Sequence, residues 1–422
     1  MPLLRALHQP CYLYQDQKSN FYLSAKGFYN SHYELTGHLP AFPAERLGNP
    51  AFLRAHGVKY AYMAGAMANG IASEEMVIAL GSAGILGSFG AAGLRTERVE
   101  SAIRRIQDAL PEGPYAFNLI HSPGDAGREM ALVEMYLRYG VRTLEASAFM
   151  GLTPALVYYR AAGLAPDHTG KVQARNKVIA KISRAEVARQ FMQPAPEALL
   201  HELVAQGKIT AEQAGWARRF PMADDLTVEA DSGGHTDGQP LLCVLPEMIR
   251  LRDRLAADHP DSAPLRIGAG GGISTPVAVV AAFALGADYV VTGSVNQACV
   301  ESGTSRAVKE LLAQATSADM AMAPSADMFE LGVQVQVLKR GTMYPNRAKR
   351  LYQVYHAYES LSAIPAEELQ KLEKQVLGRT VQDIWGDVES FFGQNDPQQL
   401  EAARNDPKKK MALVFRWYLG LS

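Results

Sequence analysis

From residue 59 onward, short apolar runs alternate with stretches of helical periodicity. The runs are Lys59–Met63, Gly84–Gly87, Tyr115–Leu119, Val141–Glu145, Val178–Lys181, Leu226–Glu229, Leu265–Ile267 and Tyr289–Val291. Runs this short, mostly apolar and separated by helical patterns, read as buried strands. Between them, Thr96 to Leu110 sets Val99, Ile103, Ile106 and Leu110 on one helical face. Ser274-Thr275-Pro276 opens another helix, with a hydroxyl cap and a proline in the first turn, that runs to Gly286.

Eight strands, each followed by a helix, fit a closed parallel barrel better than an open doubly wound sheet, which carries one glycine fingerprint near its start. The expected fold is therefore α/β, a (β/α)8 TIM barrel. Residues 1–55, rich in Pro, Tyr, His and Asn and poor in periodicity, read as an N-terminal extension. The barrel is expected over 56–305. A helical insertion or lid at about 194–225 is read as two short helices broken at Gly207. After Ser305 the β pattern stops, so 306–422 reads as a mainly helical region. Helices are expected over Arg347–Leu361, Pro365–Leu377 and Thr380–Phe392, and the Met-rich tract Asp319–Met328 reads as a mobile loop.

Composition narrows the class. A formal charge of −1 gives no reason to expect nucleic acid or an anionic membrane surface as partner. The three cysteines, Cys11, Cys243 and Cys299, form no CxxC pair and no metal-ligand spacing, which fits a reducing cytoplasm and no zinc site. No run approaches the roughly 20 apolar residues that span a bilayer, and Met1–Pro10 lacks the apolar core of a signal peptide. A soluble cytoplasmic protein is expected.

The chemistry gathers at strand ends. The sixth strand runs into Asp231-Ser232-Gly233-Gly234-His235, the seventh into Gly270-Gly271-Gly272, and the eighth into Thr292-Gly293-Ser294. Any one of these could be a plain tight turn. Three in succession suggest a phosphate cradle, because glycine lets backbone N–H groups approach a ligand closely. A glycine-rich run begins at Gly268, but Ile273 stands where a GxGxxG fingerprint has its last glycine, and no downstream carboxylate supports a dinucleotide fold. His235 could be a satisfied structural histidine; beside a glycine turn it is the candidate acid/base group. Asn118, ending the third strand, could simply cap a loop, or it could hydrogen-bond the pyrimidine edge of a flavin. Lys181 lies in an apolar run, where a lysine needs a partner or must reach solvent. As a ligand group it would stabilise an anionic reduced flavin. Ala64-Gly65-Ala66-Met67, after the first strand, is either a close-packed turn or a loop passing under a flavin ring. Lys339, Arg340, Arg347, Lys349 and Arg350 form a basic cluster: solvated surface, or a docking patch for an acidic partner.

Three stretches carry a specific resemblance: Lys59–Ser73, Glu229–Asp237 and Lys339–Pro345. With them the chain resembles the PfaD family, stand-alone FMN-dependent enoyl reductases of polyunsaturated fatty acid and trans-acting polyketide synthases. Similarity runs from about Leu47 to the C-terminus. The Ser-Gly-Gly-His turn is broader, and is similar to that of bacterial enoyl reductases and nitronate monooxygenases. The resemblance implies bound FMN, a nicotinamide reductant (NADPH in preference to NADH), and enoyl thioesters carried on an acyl carrier protein. His235 is then the candidate proton donor, or the group that orients it. The cofactor set is Ala64, Gly65, Ala66, Met67, Asn118, Lys181, Asp231, Gly233, Gly234, Gly270, Gly271, Gly272, Thr292, Gly293 and Ser294. Two other readings stay open: a nitronate monooxygenase, and a non-catalytic flavin-binding subunit of a synthase. Apolar faces on the C-terminal helices are compatible with a homodimer.

Overall fold

The computed structural model describes residues 8–122, 126–257 and 265–421. The chain forms two compact units, residues 1–230 with 239–304, and residues 231–238 with 305–422. Asp231–Gly238, inside the range expected for the barrel, thus belongs with the C-terminal region.

In the first unit all eight runs are strands: Tyr62–Ala64, Leu86–Phe89, Ala116–Ile120, Thr143–Ser147, Lys177–Ile182, Asp225–Glu229, Arg266–Gly270 and Tyr289–Thr292. They are parallel and follow chain order round a closed barrel, the last pairing with the first through Val290↔Tyr62 and Thr292↔Ala64. Alternate residues point inward. Met63, Leu86, Ala116, Ile179, Tyr289 and Val291 share one buried cluster with Phe52, which stacks on Tyr289 at 4.3 Å. Phe52 comes from the helix Pro50–His56, capped by Asn49 and ended by Gly57 in the left-handed region. Gly268 serves this packing rather than a ligand: a Cβ there would lie 2.3 Å from the Tyr289 ring.

Helices cover the outside. Thr96–Ala109 buries Val99, Ala102, Ile103 and Ile106, the face its periodicity predicts. The insertion is two helices, Glu197–Ala205 and Ala211–Ala217, joined at Gly207. Leu200, Leu203, Ala214 and Ala217 are buried in the barrel's core cluster, and both helices contact Pro154–Ala162. That apolar anchoring makes the insertion part of the outer layer, which corrects the lid reading.

The strand starts carry ions. Asp225 accepts from Arg266 Nε (2.5 Å) and Nη2 (2.8 Å) and lies 2.8 Å from His56 Nε2; Asp225 and His56 are buried and Arg266 is partly so. Burial works against the Asp225 charge, yet His56 and Arg266 overcome it and hold the carboxyl below its ordinary value.

Residues 11–39, within the stretch read as an N-terminal extension, hold strands that its weak periodicity did not announce. Cys11–Asp16, Phe21–Ser24 and Tyr33–Leu39 make a three-stranded antiparallel sheet, held on one face by stacked aromatics such as Tyr14 on Phe28 at 4.0 Å.

The second unit also contains strands that the sequence reading missed. Met320–Pro324 pairs antiparallel with Gln334–Leu338, and Gly234–His235 pairs with the other edge of Gln334–Leu338. Half of the Met-rich tract is therefore strand, where a loop was expected: Ala323 and Val335 are buried opposite each other. Helices Tyr344–Ala357, Ala366–Leu372, Val381–Asn395, Pro397–Asn405 and Pro407–Leu421 follow. Their core includes Leu351, Val354, Trp385, Val388, Met411 and Phe415, closed by Phe329. Among the described residues, no helix is long and apolar enough to cross a membrane.

Candidate active site

Beyond the apolar interior cluster, toward the C-terminal ends of the strands, the barrel becomes polar. Glu145, on the fourth strand, is buried, and its Oε2 accepts the Ala66 N–H at 2.8 Å. Asn118 donates through Nδ2 to the Glu145 carbonyl (3.1 Å) and to Ser147 Oγ (2.9 Å). The amide's donors are thus spent inside the protein, and Oδ1 is what Asn118 offers a ligand. Lys181 Nζ lies 3.2 Å from Glu229 Oε1, with a quarter of its side chain exposed. Glu229, and more weakly Glu145, raise the Lys181 pKa above its ordinary value against burial, so the ammonium is charged at neutral pH. Ser88 lies two residues beyond Leu86 on the same inward face. Its hydroxyl is buried with no partner among the described residues, a vacant polar position in the layer.

The loop after the first strand is held tightly. Ala64 ends the strand, and the Gly65 N–H donates to the Thr292 carbonyl at 3.0 Å. A Cβ on Gly65 would stand 3.0 Å from Val291 Cγ1 and 3.4 Å from Glu145 Oε1. Met67 lies so close to the end of the second strand that a Cβ on Gly90 would fall 1.7 Å from its carbonyl oxygen.

Two of the three glycine turns lie in this unit. Gly270 accepts the Ala230 N–H at 2.8 Å, and a Cβ on it would lie 3.2 Å from Thr227 Cγ2. Gly271 and Gly272 have φ of 98° and 69°, which favours glycine. At Gly272 and Gly293 an added Cβ would meet nothing within 4 Å, so both backbones border open space. Thr292 is less available than its place suggested: its hydroxyl meets Tyr62 Oη at 2.5 Å and accepts from Asn296 Nδ2 at 2.9 Å. Ser294 begins a helix of only four residues. The Thr275 hydroxyl takes the Ala278 N–H, and Pro276 has none, so the helix Pro276–Ala284 leaves few free amides at its start.

The third turn, with Asp231, Gly233, Gly234 and His235, packs in the second unit. Gly234, at φ 86°, and His235 pair with Gln336 and Val335. Gln336 Nε2 donates to Asp231 at 3.2 Å. His235 Nε2 lies 3.2 Å from Asp327 Oδ1 and 3.4 Å from Ser325 Oγ. Ser325 in turn donates to Asp327.

The basic cluster is partly spent. Arg340 pairs with Asp319 at 3.7 Å and Arg350 with Glu368 at 2.6 Å, while Arg347 donates to Tyr418 Oη at 2.9 Å. Lys339 and Lys349 are exposed, with no ion-pair partner among the described residues.

Sequence reasoning missed Glu145, Glu229, Ser88 and Tyr62 in the barrel, and Ser325 and Asp327 beyond it. Glu145 carries the signal that marked Lys181, a charge inside an apolar run. Asp327 carries none, because its partner lies far away in sequence.

Residues 49–363 match the family model for nitronate monooxygenase, and residues 358–422 that for the acyl-carrier-protein S-malonyltransferase inserted helical domain. The chain is 50% identical over 380 residues to one of the polyunsaturated fatty acid synthase proteins of Thraustochytrium sp., covering 89% of this chain and 25% of that one. It is 46% identical over 380 residues to the polyketide biosynthesis protein PksE of Bacillus subtilis, covering 90% and 49%. It spans less than half the length of the curated relatives it matches. Among solved structures, the enoyl reductase domain of MlnA from Bacillus amyloliquefaciens superposes with a TM-score of 0.85 at 42% identity, covering 90% and 85%. FabK from Thermotoga maritima, at 20% identity and a TM-score of 0.52 over 77% and 83%, shares the fold. With a closed eight-stranded barrel and these likenesses, the chain belongs to the nitronate monooxygenase family, in its PfaD branch.

Proposed function

We propose that this chain is an FMN-dependent enoyl reductase that reduces the 2,3-double bond of enoyl thioesters presented by an acyl carrier protein, with NADPH as the reductant. The observation that carries the reading is the 42% identity, over nine-tenths of the chain, to an enoyl reductase domain. The synthase components among its relatives point to the same kind of substrate.

The barrel residues fit the cofactor. Ser88 is an unsatisfied buried hydroxyl, Asn118 offers an acceptor, Lys181 is a cation, and Gly272 and Gly293 border open space. In this reading Ala64, Gly65, Ala66 and Met67 would help hold the cofactor, on a loop fixed by the Ala66 N–H bond to Glu145. Gly270, Gly271, Gly272, Gly293 and Ser294 would cradle its phosphate; Asp231, Gly233 and Gly234 stay in the proposed cofactor set, on the turn that packs in the second unit. Thr292 acts by holding Tyr62 and Asn296. Bound FMN supplies the hydride chemistry, between the nicotinamide and the β-carbon of the substrate. Lys181 offsets negative charge, although Glu229 and Glu145 already take part of its field. His235 delivers a proton to the α-carbon.

The test is anaerobic absorbance of the purified protein, adding NADPH and then a crotonyl thioester. Bleaching of a bound flavin followed by recovery with the thioester is expected. The nitronate monooxygenase match over residues 49–363 favours a second reading. Recovery only with oxygen or a nitronate would select it. A flavin that resists every nicotinamide would make the chain a non-catalytic synthase component, and a colourless protein would remove the cofactor assignment.

A further inference from the structure

The residue read as the acid is built by the C-terminal unit rather than by barrel residues alone. His235 sits on a two-residue strand held by Gln334–Leu338, and its ring faces the turn that joins that strand to Met320–Pro324. Asp327 occupies this turn, 3.2 Å from His235 Nε2, and Ser325 stands 3.4 Å from the same nitrogen. The carboxylate is itself fixed. Ser325 donates to it, and the Met328 N–H reaches its Oδ1 at 3.1 Å and the Ser325 hydroxyl at 3.2 Å. Burial opposes its charge, but hydrogen bonds from His235 and Ser325 take the Asp327 pKa down to about 2. Across the pH range of an enzyme assay it is therefore an anion.

We propose that Asp327, set by Ser325, is the positioning residue for His235: it accepts the Nε2–H, orients the ring and favours the imidazolium. This rests on the enoyl reductase reading. After hydride reaches the β-carbon, the electron pair of the double bond lies on the enolate of the thioester. The imidazolium N–H on the side away from Asp327 breaks, its proton forms the new C–H bond at the α-carbon, and neutral imidazole remains to regain a proton from solvent. Asp327 stays ionised throughout. Two further titratable groups, Asp231 and Asp237, lie on the same turn in the chain, and Tyr344 senses the Asp327 charge. The partner strand presents Gln334, Val335 and Gln336, none of which titrates.

The sign of the pH effect follows. An adjacent anion raises the pKa of an imidazolium, typically by 1–3 units. Both side chains are about half exposed, so the low end applies. Asp327→Asn keeps an acceptor and removes the charge. In the reduced, flavin-loaded protein, the alkaline limb of re-oxidation by crotonyl thioester should move about one pH unit lower, with a rate at pH 8 roughly tenfold below wild type. Flavin content and reduction by NADPH should stay unchanged, and Asp327→Glu should restore most of the limb. An NMR titration of His235 should show the same downward shift. A limb and a His235 midpoint that Asp327→Asn leaves in place overturn the inference. Should the thioester fail to re-oxidise even wild type, the reductase reading fails, and the NMR midpoint alone decides whether Asp327 tunes His235.

Discussion

Single side chains set the polar layer of the barrel, and Gly90 is its most exacting position. A Cβ there would overlap the Met67 carbonyl, so Gly90→Ala must displace the loop after the first strand. The expected outcome is loss of bound flavin together with about 1–3 kcal/mol of stability, measured by absorbance ratio and urea unfolding. Glu145 acts on the same loop from the other side. Glu145→Ala leaves the Ala66 N–H without its acceptor and removes one of the carboxylates near Lys181, at a cost of about 1–3 kcal/mol. Glu145→Gln, which keeps a carbonyl acceptor, should recover much of that in the same unfolding measurement. At this scale the sequence was legible where a residue broke its local pattern. Lys181 and Asn118 stood out in apolar runs, and Glu145 could have been found by the same rule. Thr292 shows the limit: a hydroxyl at the right place in the chain is held by Tyr62 and Asn296, and only packing reveals that.

At the level of elements, the strands that were easy to read are those whose pattern and environment agree. Parallel barrel strands are covered on both faces, so they appear as short, mostly apolar runs, and all eight form. The strands missed are only partly covered. Met320–Pro324 alternates Met with Ala, a weak contrast, and ends in proline; in residues 11–39 Tyr14 is buried while Phe21, Tyr22, Phe28 and Tyr29 stay exposed, which blurs the alternation. The start of the sixth strand allows a quantitative test. Asp225→Asn leaves the buried Arg266 and His56 without their anion and should cost about 3–5 kcal/mol at neutral pH. Because the folded-state pKa of Asp225 lies below its unfolded value, its contribution is present above the ordinary carboxylate pKa near 3.8 and is lost as pH falls through the lower, folded value. The wild-type advantage in a urea or thermal series should therefore hold from neutral pH to about 5 and narrow below about 4.

For the whole molecule, the question is what brings the substrate. If the acyl group arrives on an acidic carrier, the exposed ammonium groups of Lys339 and Lys349 are the part of the basic cluster still able to attract it, since Arg340 and Arg350 are paired and Arg347 is bonded to Tyr418. Reversing both lysines to glutamate should lower turnover of carrier-bound substrate several-fold at low salt, with the effect shrinking as salt rises. Turnover of a crotonyl thioester free of any carrier should not change. Equal loss on both substrates, or none on either, would remove the docking patch.

The chain leaves the barrel after Ala230, spends eight residues in the second unit and returns at Gln239. That excursion has a consequence for recombination among these synthases. A crossover placed after the barrel, near residue 305, would look safe from the linear order of segments. It would, however, leave a parental histidine strand to pair with a foreign hairpin, and the aspartate opposite it would come from the other parent. Hybrids that inherit residues 231–238 and 305–422 from one source should keep proton delivery intact, whereas those that divide them should bind their flavin, accept electrons and stall.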